Sequence, residues 1–92
     1  MLTLDTPVRI AENVLFTGVD QEAILLNTRN NKYFGLNDVG ARFWDELSKS
    51  TLRHAYQVLF SEYAINPQQL EKDLLGLVTL LVQHGLLEID KA

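Results

Sequence analysis

Apolar and polar positions alternate in the first third of the chain and then change to a helical period. Val14-Leu15-Phe16-Thr17 and Glu22-Ala23-Ile24-Leu25-Leu26-Asn27 are short runs rich in strand formers, separated by a Gly18-Val19-Asp20-Gln21 connection. Thr28-Arg29-Asn30-Asn31 is a cluster of turn formers, because Asn tolerates the left-handed region and bonds its own backbone. Lys32-Tyr33-Phe34-Gly35-Leu36 returns as a third strand, with Lys32, Phe34 and Leu36 on one face and Tyr33 and Gly35 on the other. Connections this short predict an antiparallel meander whose third strand lies at an edge.

From Asn37 onward the spacing is helical. Asn37 is a good N-cap, and Asp38 follows in the first turn, where the helix dipole favours negative charge. Val39, Phe43, Trp44 and Leu47 mark the buried face of a helix that runs to about Leu47, with Phe43 and Trp44 assigned to the core. After the polar Ser48-Lys49-Ser50 break, Thr51 caps a second helix. Its apolar residues, Leu52, Ala55, Tyr56, Leu59, Phe60 and Tyr63, follow the amphipathic series. Asn66-Pro67-Gln68-Gln69 places an N-cap, a proline at N1 and a glutamine at N3. The third helix runs to about His84, with Gly85 as its C′ residue and Leu86-Leu87-Glu88-Ile89 as an extended tail. The expected fold is α+β: a three-stranded antiparallel sheet followed by three α-helices, winged-helix-like, in one domain over residues 1–92.

On a wheel of about 100° per residue, the apolar residues of the third helix span about 220°, more than one core-facing stripe requires. This helix is therefore read as the central one, with part of its excess apolar surface available to line a groove.

Composition adds exclusions. The chain has 92 residues, 47% of them hydrophobic, and no cysteine, so a disulfide framework or thiolate metal site is excluded. No apolar run approaches the roughly 18 residues of a membrane span. Met1-Leu-Thr-Leu-Asp lacks the basic and apolar regions of a signal peptide, so the cytoplasm is the expected location. Eight basic residues against twelve acidic ones give a net charge of −4. The third helix carries Lys72 between Glu71 and Asp73, unlike a helix that reads the major groove. A small winged-helix DNA-binding regulator is the alternative reading, and this charge pattern opposes it. His54 and His84 lie on separate helices without ligand spacing, and Asp45-Glu46 and Glu71…Asp73 read as solvated carboxylates. No catalytic constellation emerges, and no metal or cofactor is expected.

The segment Tyr33-Phe34-Gly35-Leu36-Asn37-Asp38-Val39-Gly40-Ala41-Arg42-Phe43-Trp44 resembles the signature of the PqqD-like family, the precursor-peptide recognition elements of ribosomally made, post-translationally modified peptides. The resemblance extends from about Val8 to Leu87. It takes in Leu25-Leu26-Asn27, Glu62-Tyr63, Asn66-Pro67, Asp73 before its apolar run, and Gly85-Leu86-Leu87. The Tyr-Phe-Gly-Leu-Asn form is closer to the stand-alone proteins of lasso-peptide clusters than to the protein of pyrroloquinoline quinone synthesis. The resemblance implies a non-enzymatic module that binds the leader region of a precursor peptide by strand addition. Its partner would be a processing enzyme: a leader peptidase, a cyclase or a radical enzyme. Carried over residue by residue, Lys32, Tyr33, Phe34, Gly35 and Leu36 supply the ladder. Tyr33 borders the leader pocket, and Gly35 allows close backbone approach. Asp73, Leu74, Leu77, Val78 and Leu81 form the helical wall.

Overall fold

The computed structural model describes residues 2–90. Five strands and three helices follow one another as β1 (Val8–Ile10), β2 (Val14–Val19), β3 (Glu22–Asn27), β4 (Lys32–Leu36), α1 (Asp38–Leu47), α2 (Leu52–Glu62), α3 (Pro67–Gln83) and β5 (Leu87–Ile89). The three strands expected from sequence are β2, β3 and β4. They form an antiparallel meander in that order, and β2 extends two residues beyond its expected end at Thr17. A second sheet was not expected: β1 pairs antiparallel with β5, Val8 opposite Ile89 and Ile10 opposite Leu87. Three residues give too little alternation to read a strand from. The partner that stabilises β1 lies at the far end of the sequence.

The turns form for local reasons. Asp20 (φ 57°) and Asn31 (φ 58°) take up left-handed backbone in the two hairpin connections, a conformation that Asn and Asp tolerate better than most residues. The Asn31 amide donates to the Asn27 carbonyl at 2.8 Å, closing the β3–β4 connection. All three helices start at the expected caps: Asn37 accepts from the Gly40 amide, Thr51 from that of His54, and Asn66 from those of Gln68 and Gln69.

The inner face of the meander, Ala23 and Leu25 with Leu36, meets Phe43, Trp44 and Leu47 of α1; Leu52, Ala55 and Leu59 of α2 complete the packing with α3. Along α3 the buried residues are Leu70, Leu74, Val78 and Leu81, while Leu75, Leu77 and Val82 are half-buried and Leu80 is exposed. The broad apolar arc thus has a core-facing centre with flanks only partly covered. No helix among the described residues is long and apolar enough to cross a membrane.

One buried polar side chain fixes the relation between the sheet and the C-terminal end of α3. Asn27 donates from Nδ2 to the His84 carbonyl at 2.9 Å, while its Oδ1 accepts from Asn13 Nδ2 at 2.8 Å and from the Arg29 amide at 3.0 Å. A buried amide left unpaired is costly, so these bonds set where the helix ends against β3.

Candidate peptide-binding groove

Among the described residues, strand β4 pairs only with β3, and its other edge is open. In an antiparallel ladder, opposed residues exchange hydrogen bonds at every second position. The Thr28 amide donates to the Asn13 carbonyl at 2.8 Å, one step beyond the Val14–Asn27 pairing. Counting in twos from there turns the backbone groups of Leu26 and Ile24 toward β2, and those of Leu25 and Ala23 toward their β4 partners Phe34 and Leu36. The N–H and C=O groups of Tyr33 and Gly35 consequently point away from the sheet, along the open edge.

Beside this edge lies a cavity of about 480 Å³ between β4 and the N-terminal half of α3. Phe34 and Leu36 form the strand side, Leu70, Leu74 and Leu77 the helix side, and Val39 and Ile65 the end. Each wall has a local cause. Gly40 lets the start of α1 come close to β4, because a Cβ there would lie 3.2 Å from Leu36 Cδ2 and 3.3 Å from Asn37 Oδ1. The Phe34 ring leans on the His84 ring with centroids 5.2 Å apart, which ties the strand side to the C-terminal turn of α3. Tyr56 donates from its hydroxyl to the Pro67 carbonyl at 3.2 Å, linking α2 to the start of the helical wall.

Among the described residues, Asp73 is the single charged one lining this cavity. Its Oδ1 accepts from Gln69 Nε2 at 2.8 Å, a bond between consecutive turns that orients the carboxylate. The groove can therefore take apolar side chains along its length and a hydrogen-bond donor or cation at one position on its rim, while the edge of β4 offers backbone partners to an extended chain.

Of the residues expected at the site, Phe34, Gly35, Leu36, Asp73, Leu74 and Leu77 surround the cavity. Lys32 is exposed at the start of the strand, outside it. Tyr33 does not border the pocket: its side chain, 72% exposed, stands on the opposite face of the sheet, as the two-residue period of a strand requires. Val78 and Leu81 are fully buried and face the core beneath the groove, so the helical wall is narrower than expected. A Cβ on Gly35 would meet nothing within 4 Å, so no close approach within the chain itself accounts for this glycine. Asn37, Val39, Gly40, Ile65 and Leu70 also line the cavity and were not among the expected contacts. The cap at Asn37 marked where α1 begins, but nothing in the local pattern indicated that this end of the helix would close the groove.

Two solved structures share this architecture. The first, described as TbiB1 in complex with the TbiA(beta) leader peptide, aligns with a TM-score of 0.84 and 28% identity, over 91% of this chain and 99% of the other. The second, a lasso peptide synthetase B1 complexed with the leader peptide, aligns with a TM-score of 0.79 and 28% identity, over 89% and 98% of the two chains. No curated protein matches the chain. Residues 22–87, which include both walls of the groove, match the family model described as coenzyme PQQ synthesis protein D, and the chain belongs to the PqqD family.

Proposed function

We propose that the protein captures the leader segment of a ribosomally made precursor peptide and presents it to a separate processing enzyme in lasso-peptide biosynthesis. In this reading it is a binding module without catalytic activity, a single winged-helix-like domain acting in the cytoplasm, where such a precursor is made. The leader adds as a strand to the open edge of β4. Its backbone pairs with the outward groups of Tyr33 and Gly35, and alternate side chains enter the groove against Leu74 and Leu77 with Asp73 at the rim.

The observation that carries this reading is the coincidence of an unpaired strand edge with an apolar groove directly beside it. In strand addition the backbone bonds supply affinity and alternate pockets supply specificity. The two structural neighbours, both solved with leader peptides, support the same ligand class. The DNA-binding alternative gains no support: the exposed stretch of α3 presents Glu71 and Asp73 around Lys72.

Titration of the isotopically labelled protein with a synthetic leader segment of its lasso-peptide precursor tests the proposal. The Tyr33 and Gly35 amides are expected to move most, followed by Asp73 and Leu77. Perturbations confined to α2 would overturn it.

A further inference from the structure

The sheet has a second open edge, which the leader reading does not use. Strand β2, Val-Leu-Phe-Thr-Gly-Val, contains no charge and no proline, and it pairs with β3 through six consecutive positions without a bulge. Edge strands are usually protected from stray pairing by such devices or by a covering element. Instead, β2 is exposed on both faces, with Leu15 at 56%, Val19 at 50% and Phe16 at 49%. The alternation that frees Tyr33 and Gly35 on β4 frees the backbone groups of Val14, Phe16 and Gly18 on β2.

A groove of about 500 Å³ runs between the inner face of β2 and α1, with Phe16 on one side and Ala41 and Tyr63 on the other. Its rim differs from that of the β4 groove. Asp20, Glu22, Asp38 and Asp45 line it, and its one cation among the described residues, Arg42, is held by Glu46 at 2.7 Å and Glu62 at 2.8 Å. Among the described residues, Asp20, Glu22 and Asp38 form no salt bridge.

We propose that the β2 edge is a second strand-addition site and that its occupant is an extended basic segment of a partner protein. Lysine or arginine at alternate positions would lay its aliphatic stem over Phe16 and carry its charge to Asp20, Glu22 and Asp38, the rim carboxylates without a salt bridge among the described residues. The intervening apolar residues would continue the outer row of Leu15 and Val19. A second copy of this chain is disfavoured, because it brings an equally acidic rim and a net charge of −4. The site stands independently of the leader reading, since the two edges lie on opposite sides of the sheet.

The probe is the hexapeptide acetyl-Lys-Val-Lys-Val-Lys-Val-amide, titrated at low ionic strength into the labelled full chain, with its glutamate counterpart as control. The expected result is a set of amide shifts centred on Val14, Phe16 and Gly18, with no response to the control. The Gly18→Pro variant removes an outward N–H and leaves the β3 ladder intact, so it should bind about tenfold more weakly. Should Gly18→Pro disturb the Tyr33 and Gly35 resonances and thus the fold, Phe16→Ser gives the same readout without altering the backbone. Asp20→Asn with Glu22→Gln should weaken binding about threefold and reduce its salt dependence. Three results would each overturn the proposal: shifts centred on Tyr33 and Gly35, diffuse shifts untouched by either β2 variant, or β2 shifts that grow with protein concentration alone.

Discussion

Gly85 takes a left-handed φ of +72°, and a Cβ there would lie 3.1 Å from Asn27 Nδ2. The helix stop and the buried amide therefore constrain each other. Gly85→Ala is expected to lower stability by about 1–2 kcal/mol for the backbone conformation, and by more if Asn27 is displaced from the His84 carbonyl; a urea midpoint measures the loss. In the groove, neighbouring positions should separate stability from binding. Leu74 is 3% exposed, so Leu74→Ala should cost about 2–5 kcal/mol of stability. Leu77 is half-buried and Asp73 exposed. Leu77→Ala should cost clearly less stability than Leu74→Ala, and Asp73→Ala almost none, yet both should weaken leader binding. Denaturation midpoints and leader affinities for the three variants check this. If all three lose binding only in proportion to stability, the groove contacts are wrongly assigned.

At the scale of elements, the parity of the β3–β4 ladder gives a sharper test. Tyr33 directs its N–H to the open edge, whereas Phe34 is bonded to Leu25 of β3. Proline lacks an N–H and is tolerated in a sheet only where that group faces outward. Tyr33→Pro should therefore fold with a near-parental melting temperature while losing about tenfold or more in leader affinity. Phe34→Pro should destabilise the sheet itself. The helices carry a different constraint. Arg42 of α1 donates to Glu62 of α2 at 3.0 and 2.8 Å and to Glu46 at 2.7 Å. The bonds to Glu62 and then Glu46 hold the guanidinium above its ordinary pKa, and the bond from Arg42 holds the Glu46 carboxyl below its own. A depressed carboxylate stabilises the fold fully above the unfolded value of about 4.3, and its contribution is lost as pH falls through the lower folded value. Melting temperature should thus drop more steeply below about pH 4.3 in the parent than in Glu46→Gln, as a pH series of thermal melts would reveal.

For the molecule as a whole, the β1–β5 ribbon joins the two ends of the described chain. The Ala11 amide donates to the Leu86 carbonyl and the Asp90 amide to the Pro7 carbonyl. Arg53 on α2 holds Asp5 through contacts of 2.7 and 3.0 Å, and Leu4 is buried in the core. Deleting residues 1–10 should unpair β5 and lower stability by at least about 2 kcal/mol from the lost burial of Leu4 alone. The β4 edge and the lining of its groove should remain. Calorimetry of the truncated chain, compared with its leader affinity, tests that separation.

The sequence carried what depends on neighbouring residues. The meander from Glu22 to Leu36, the caps at Asn37, Thr51 and Asn66 and the stop at Gly85 were legible because turn chemistry, capping and side-chain periodicity act over a few residues. Resemblance from about Val8 to Leu87 indicated the family and raised the expectation of a binding surface between Lys32–Leu36 and the third helix. Tertiary structure decided what depends on distant partners. Val8–Ile10 becomes a strand only because Leu87–Ile89 returns beside it. The apolar arc of α3 could not by itself divide core from wall; the depth at which the helix packs buries Val78 and Leu81 and leaves Leu77 half-open. Tyr33 and Phe34 are adjacent in sequence, yet the pleat and the ladder give them opposite roles. Phe34 puts its side chain toward the groove, and Tyr33 puts its backbone there.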